Sequence, residues 1–119
     1  MKNILFVLLG CLFILPVTVS LAVPPSSITL SYDLDKGSLH VDADHPSDLL
    51  DKNYVRMMVI SLNSQPVQTL YYYRQKEHDK FSDDVSFKAQ AGDVIRVELF
   101  CTQGGSLAQE LTVTPPDNK

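Results

Sequence analysis

The chain has 119 residues, of which 45% are hydrophobic and 20% are charged, and its 14 acidic residues outnumber its 10 basic residues to give a formal net charge of −4. An acidic surface repels phosphate backbones, so nucleic acid is excluded as an expected partner. The length is that of one domain with a short extension.

The N-terminus has the features of a secretory signal peptide. Lys2 precedes a mostly apolar run over residues 4–22, and Ser20-Leu21-Ala22 places small residues at the −3 and −1 positions of a cleavage site. We expect residues 1–22 to be a signal peptide, and the mature protein to be periplasmic or secreted and not bound to a membrane. Two alternatives are lipid attachment at Cys11, although more apolar residues follow it, and an uncleaved membrane anchor, against which Pro16 argues.

Cleavage changes both the charge and the cysteine content. The mature chain has 97 residues, 22 fewer than the whole, with nine basic and 14 acidic residues and hence a formal charge of −5. Of two cysteines only Cys101 is left, so no internal disulfide is expected. Cys101 is then a buried apolar filler, a redox-active or intermolecular disulfide partner, or a metal ligand.

The first half of the mature chain predicts a hairpin and then a buried strand. Residues 23–25 form an extended lead-in, since proline fixes φ and lacks an amide donor. Apolar residues alternate over 28–34 and again over 39–43, with a turn at 35–37 between the two strands. After a polar loop at 44–53, the run "YVRMMVISL" at 54–62 is apolar at both parities, which indicates a strand at the centre of a sandwich.

The second half predicts four more strands. A turn at 63–66 leads into a strand at 67–74 that contains three consecutive tyrosines, and the stretch at 75–84 is a charged loop. Strands follow at 85–89, 94–101 and 107–113, and residues 115–119 are a polar tail. No segment keeps helical spacing for three turns. Seven short strands predict an all-β fold, an immunoglobulin-like β-sandwich of about seven antiparallel strands over residues 26–114.

Few residues of the mature chain offer site chemistry. The candidates are His40, His45, His78 and Cys101. His40 and His45 are five apart, so on one strand they face opposite sides of the sheet and cannot form a simple pair. No Ser-His-Asp or Cys-His pattern and no nucleotide-binding glycine loop is present, and the run at 33–37 lacks the glycine position and glutamate of a calcium loop. No catalytic residue is therefore predicted.

One ordered set of motifs does carry a resemblance. The set is His45-Pro46, Asn53-Tyr54-Val55, the run "GDVIRV" at 92–97 and the run "CTQGG" at 101–105. It resembles the ferrous-iron domain of superoxide reductases, the desulfoferrodoxin and neelaredoxin family. That family shows a His-Pro pair, a later His-Tyr-Ile that opens a long apolar strand, and a C-terminal Cys-Asn-x-His-Gly. The resemblance covers about residues 44–106 and implies the same sandwich.

The resemblance also implies a metal site. In that family four imidazoles and one axial thiolate hold a ferrous ion, and the sixth position is open for superoxide. His45 matches the histidine of the His-Pro pair and Cys101 matches the axial ligand, so these two residues are the implied metal ligands. Asn53 and Gly104 stand where two further histidines are expected, and no histidine precedes His40. We therefore expect no tightly bound cofactor, while iron stays possible.

Two functions follow from these observations. In the first, the protein is a non-catalytic exported binding module that contacts an unidentified protein or small molecule through its loops or through Tyr71-Tyr72-Tyr73, of which at least one faces away from its neighbours. In the second, it is an iron-dependent superoxide reductase with an altered ligand set, in which His40 or His78 substitutes for a missing imidazole. The missing histidines favour the first function over an enzyme.

Overall fold

The computed structural model describes residues 25–115, so the predictions for the leader, Cys11 and the end of the tail lie outside it. Its strands are β1 (Ser27–Asp33), β2 (Ser38–Asp44), β3 (Val55–Leu62), β4 (Gln65–Tyr71), β5 (Lys80–Ser86), β6 (Val94–Cys101) and β7 (Ser106–Thr112). Within residues 25–115 there is no helix, and hence no helical segment that could cross a bilayer.

The seven strands form two antiparallel sheets. The first has the order β1-β2-β5 and the second the order β4-β3-β6-β7. One hydrophobic core draws on both, with Leu39 and Val41 from β2 packed in the same cluster as Ile60 from β3 and Val97 from β6. The all-β prediction is confirmed, and the arrangement is sandwich-like.

Strand β6 decides where Cys101 points. Ile95, Val97, Leu99 and Cys101 are buried, and the residues between them are only partly buried. Because side chains alternate across a strand, this run places Cys101 on the core face at the very end of β6. The bounds predicted for this strand, 94–101, are those of the structure.

The β3–β4 hairpin turns more tightly than predicted. Asn63 and Ser64 alone form the turn, with φ of 50° and 74°. Positive φ at both central residues is the requirement of the two-residue turn that matches the twist of a hairpin, and asparagine tolerates it well. The chain therefore re-enters the sheet at Gln65, and β4 ends at Tyr71 instead of residue 74.

The fifth strand was predicted wrongly. It runs over Lys80–Ser86, so it begins inside the stretch 75–84 that was predicted as a charged loop, and only its last two residues overlap the strand predicted at 85–89. Phe81 and Val85 are buried, and Asp83 lies between them in the alternation. The Asp83 carboxylate accepts a hydrogen bond of 2.6 Å from the Tyr72 hydroxyl, which satisfies an acidic side chain on that face. The local sequence pattern placed Asp83 in a solvent-exposed loop, because its hydrogen-bond partner Tyr72 is eleven residues away.

Candidate functional site

The structure brings His45 and Cys101 together. His45 follows directly after β2 and Cys101 ends β6, and the Cys101 Sγ lies 3.0 Å from the His45 Nε2. His45 is fully buried and Cys101 is 2% exposed. These are the two residues that match the motif of the iron-binding family, although 56 positions separate them in the chain.

Backbone contacts hold both residues in place. The His45 amide donates to the Asp79 carbonyl at 3.0 Å, which continues the pairing beyond the ends of β2 and β5. After Cys101 the chain folds back, because the Gly104 amide donates to the Cys101 carbonyl and the Cys101 amide donates to the Gly105 carbonyl. Gly104 and Gly105 have φ of 93° and 87°, a region that favours glycine, so the paired glycines make this turn possible directly behind the thiol.

Gln75 completes the site, and sequence reasoning missed it. Its Oε1 lies 2.8 Å from the His45 Nδ1. Its Nε2 donates to the His45 carbonyl at 2.8 Å and to the Glu77 carbonyl at 2.7 Å. Gln75 is 2% exposed. The sequence offers no signal for this role, because Gln75 opens a run of charged residues and has no apolar neighbour that would mark it as buried.

The hydrogen bonds fix where the protons lie. The two carbonyls can only accept, so the Gln75 Nε2 faces them and its Oε1 accepts from the His45 Nδ1. Burial raises the pKa of the Cys101 thiol to about 11, against the opposing effect of the Arg56 charge. The thiol therefore keeps its proton at neutral pH and donates it to the His45 Nε2. We call this connected set of three side chains the Cys-His-Gln network.

Burial holds the thiol of the Cys-His-Gln network in the protonated form, in which it donates a hydrogen bond to His45. A thiolate is the reactive form of cysteine, and a buried thiol with a raised pKa is the opposite of an activated nucleophile. The network links the end of β6 to the residue after β2 and to the connection between β4 and β5. It therefore joins the two sheets at one end of the sandwich through polar contacts.

The residues present do not supply the five ligands that the family resemblance implies. Gly104 and Asn53 stand at two positions where the resemblance implies histidine ligands, and neither offers an imidazole. The buried Asn53 Oδ1 has no hydrogen-bond partner among residues 25–115. No group of three or more His, Cys, Asp and Glu side chains in that range is arranged to hold a metal ion. Metal binding by His45 and Cys101 stays a prediction.

The other two histidines lie elsewhere. His40 is on the outer face of the three-stranded sheet, where its Nδ1 is 2.6 Å from the Asp84 Oδ1 and its Nε2 is 2.8 Å from the Asp42 Oδ2. The hydrogen bonds to Asp84 and then to Asp42 raise the pKa of His40. The exposed His78 has its Nδ1 2.8 Å from the Ser47 carbonyl. Neither has a hydrogen bond to Cys101 among residues 25–115, and the opposite facing of His40 and His45 is as their spacing predicts.

The three consecutive tyrosines point to alternate faces of the chain, as the alternation of side chains along a strand requires. Tyr71 and Tyr73 are 61% and 80% exposed. Tyr72 points inward, where its ring meets that of Phe81 edge to face with the centroids 4.9 Å apart. Burial, and then the carboxylate of Asp83, raise the pKa of the Tyr72 hydroxyl.

No family model, no curated protein and no solved structure matches this chain.

Proposed function

We propose that the protein is an exported, non-catalytic binding module built on an immunoglobulin-like β-sandwich, and that the free edge of β4 pairs with an extended strand of a protein partner. One observation carries the proposal. Among residues 25–115 the exposed large hydrophobic side chains are those of Leu49, Val67, Tyr71 and Tyr73, and the last three lie on β4 or within two residues of its end.

The order of the strands supports the immunoglobulin type. In such sandwiches the second strand pairs with the fifth in one sheet, and the third pairs with the sixth in the other. Here β2 pairs with β5 and β3 pairs with β6, β7 lies beside β6, and β4 is the additional strand beside β3. This is also the fold that the resemblance to the superoxide-reductase domain implies, so the proposal includes a distant relation to that family.

The non-catalytic part of the proposal is supported by the Cys-His-Gln network. Its thiol and its imidazole are buried and hydrogen-bonded to each other, so neither is directed at solvent or at a substrate. A binding module needs no reactive group, and the exposed Val67, Tyr71 and Tyr73 give β4 apolar side chains that a partner can cover.

A second candidate function, iron-dependent reduction of superoxide, is favoured by one distance. Two adjacent ligands of one metal, at right angles and with bonds of about 2.1 Å to nitrogen and about 2.3 Å to sulfur, lie about 3.1 Å apart. The 3.0 Å between the Cys101 Sγ and the His45 Nε2 fits this separation as well as it fits a hydrogen bond. The binding module is preferred because the remaining ligands are missing.

Metal loading separates the two functions. The full chain is expressed, purified without oxygen, incubated with ferrous iron, desalted and measured by elemental analysis, by its visible spectrum after oxidation and by superoxide turnover. We expect iron far below one per chain, no thiolate-to-iron absorption band and no turnover, with Cys101→Ala indistinguishable from the parent. One iron per chain, with a band that Cys101→Ala removes, would establish the second function and overturn the first.

A further inference from the structure

Among residues 25–115, no other strand lies along one side of the β4 backbone. In that part of the chain β4 is the last strand of its sheet and pairs with β3 alone. The Tyr72 amide donates to the Arg56 carbonyl at the start of β3, so the amide of Tyr72 points toward β3. Because successive residues of a strand direct their backbone groups to opposite sides, those of Tyr71 and Thr69 point to the free edge.

β4 is also the edge strand without charge. The two sheets end at β1, β5, β4 and β7. Each of the other three carries charge within its bounds: Asp33 in β1, Lys80, Asp83 and Asp84 in β5, and Glu110 in β7. Residues 57–73, which include all of β4, contain no Asp, Glu, Lys or Arg. Charged side chains and proline are common protections of strand edges against pairing. β4 has no charged side chain, and its Pro66 lies outside the stretch from Thr69 to Tyr71.

We infer that the strand that pairs with β4 is β4 of a second copy of this chain, in an antiparallel pair with its two-fold axis at Leu70. This inference rests on the proposed function and identifies its protein partner as a second copy of the chain. About the axis, Thr69 of each copy lies opposite Tyr71 of the other, and both residues direct their backbone groups to the free edge. The two-fold axis generates two such Thr69–Tyr71 pairs, each with two backbone hydrogen bonds, so the copies share about four hydrogen bonds. Two four-stranded sheets become one sheet of eight strands.

The side chains suit this register. At the axis, Leu70 meets its own copy at a pair without hydrogen bonds, where opposite side chains approach most closely. Two residues beyond the Thr69–Tyr71 pairs, and just past the end of β4, Tyr73 comes opposite Val67 of the other copy. This places the most exposed aromatic residue beside the exposed valine of the same segment. Aromatic and β-branched residues are favourable partners across two strands.

Charge favours a second copy at this edge over any other edge of the molecule. A two-fold interface brings each charge near its own copy, and the formal net charge of −4 makes two copies repel over most of their surface. The uncharged segment 57–73 is where two chains can approach without placing like charges side by side.

Sedimentation of the purified full chain over a range of concentrations tests the pairing. We expect a reversible dimer that Thr69→Pro weakens at least about tenfold, since proline removes an amide donor that β4 does not use toward β3. Glu110→Pro is the matched control. The Val113 amide donates to the Asp93 carbonyl, so by alternation the Glu110 amide points to the free edge of β7, and this variant should leave the dimer unchanged. Circular dichroism confirms that both variants stay folded.

A disulfide tests the register independently. Leu70→Cys places two thiols opposite each other at the axis, where Cα atoms about 4.5 Å apart permit a disulfide, and oxidation should give a covalent dimer. Gln68→Cys, on the same strand and two residues from the axis, should not give one. A chain that stays monomeric up to about 1 mM, or a dimer indifferent to Thr69→Pro, overturns the self-pairing. Neither result bears on iron content, so failure of the self-pairing and failure of the proposed function are told apart.

Discussion

Replacing Gln75 by methionine removes one amide from the centre of the Cys-His-Gln network while keeping the length of the side chain. The variant loses three hydrogen bonds: one to the His45 Nδ1, one to the His45 carbonyl and one to the Glu77 carbonyl. The first two are with a fully buried residue, and each buried group that loses its partner costs about 1–3 kcal/mol. The carbonyl of exposed Glu77 can turn to water. We therefore expect Gln75→Met to lower the free energy of unfolding by about 2–6 kcal/mol.

The assay is urea unfolding of the purified chain followed by circular dichroism, with the slope and the midpoint fitted separately. Gln103→Met is the matched control, because Gln103 is exposed and makes one 3.2 Å hydrogen bond to the Lys52 carbonyl. The control should change stability by less than about 0.5 kcal/mol. Equal and small effects of Gln75→Met and Gln103→Met would refute the reasoning, since the buried amide would then contribute no more than an exposed one.

Three further predictions concern the titration of Cys101, the titration of His40 and the hydroxyl of Tyr72. The thiol of Cys101 has its pKa raised from 9.0 to about 11, so it contributes stability that is complete below pH 9 and is lost as pH rises through 11; this loss, about 2–3 kcal/mol in urea unfolding, should be absent in Cys101→Ala. His40 should titrate by NMR with a midpoint above 6.5, and its stabilising contribution, present below pH 6.5, should fade as pH rises through that midpoint; Asp84→Asn should lower the midpoint. Tyr72→Phe should cost about 1 kcal/mol in thermal or urea unfolding, while Tyr73→Phe should change nothing measurable.

Alternation alone predicted most of the fold. The strands around Leu39, Val41 and Val97 carry an apolar residue at every second position, and one face of each is the core, so period and burial agree. The prediction failed where a long-range contact changes the environment of a residue. On β5 the carboxylate of Asp83 accepts a hydrogen bond from the Tyr72 hydroxyl, and no local pattern shows that contact.

The candidate site was predicted in part. His45 and Cys101 were selected together, and the structure places them 3.0 Å apart. Gln75 was missed because its burial depends on the carbonyls of His45 and Glu77 and on the path of the chain after β4. A polar residue buried by its hydrogen bonds leaves no hydrophobic signature in the sequence.

The crossed pairing of the strands has a consequence for how the chain folds. β2 pairs with β5 and β3 pairs with β6, so each sheet includes a pair of strands about 40 residues apart in the chain. Closing such loops costs entropy before any distant contact forms, and sandwiches of this kind fold in milliseconds to seconds. Before β6 docks, the apolar β3 has only β4 beside it in its sheet, so aggregation is most favoured at this stage of folding.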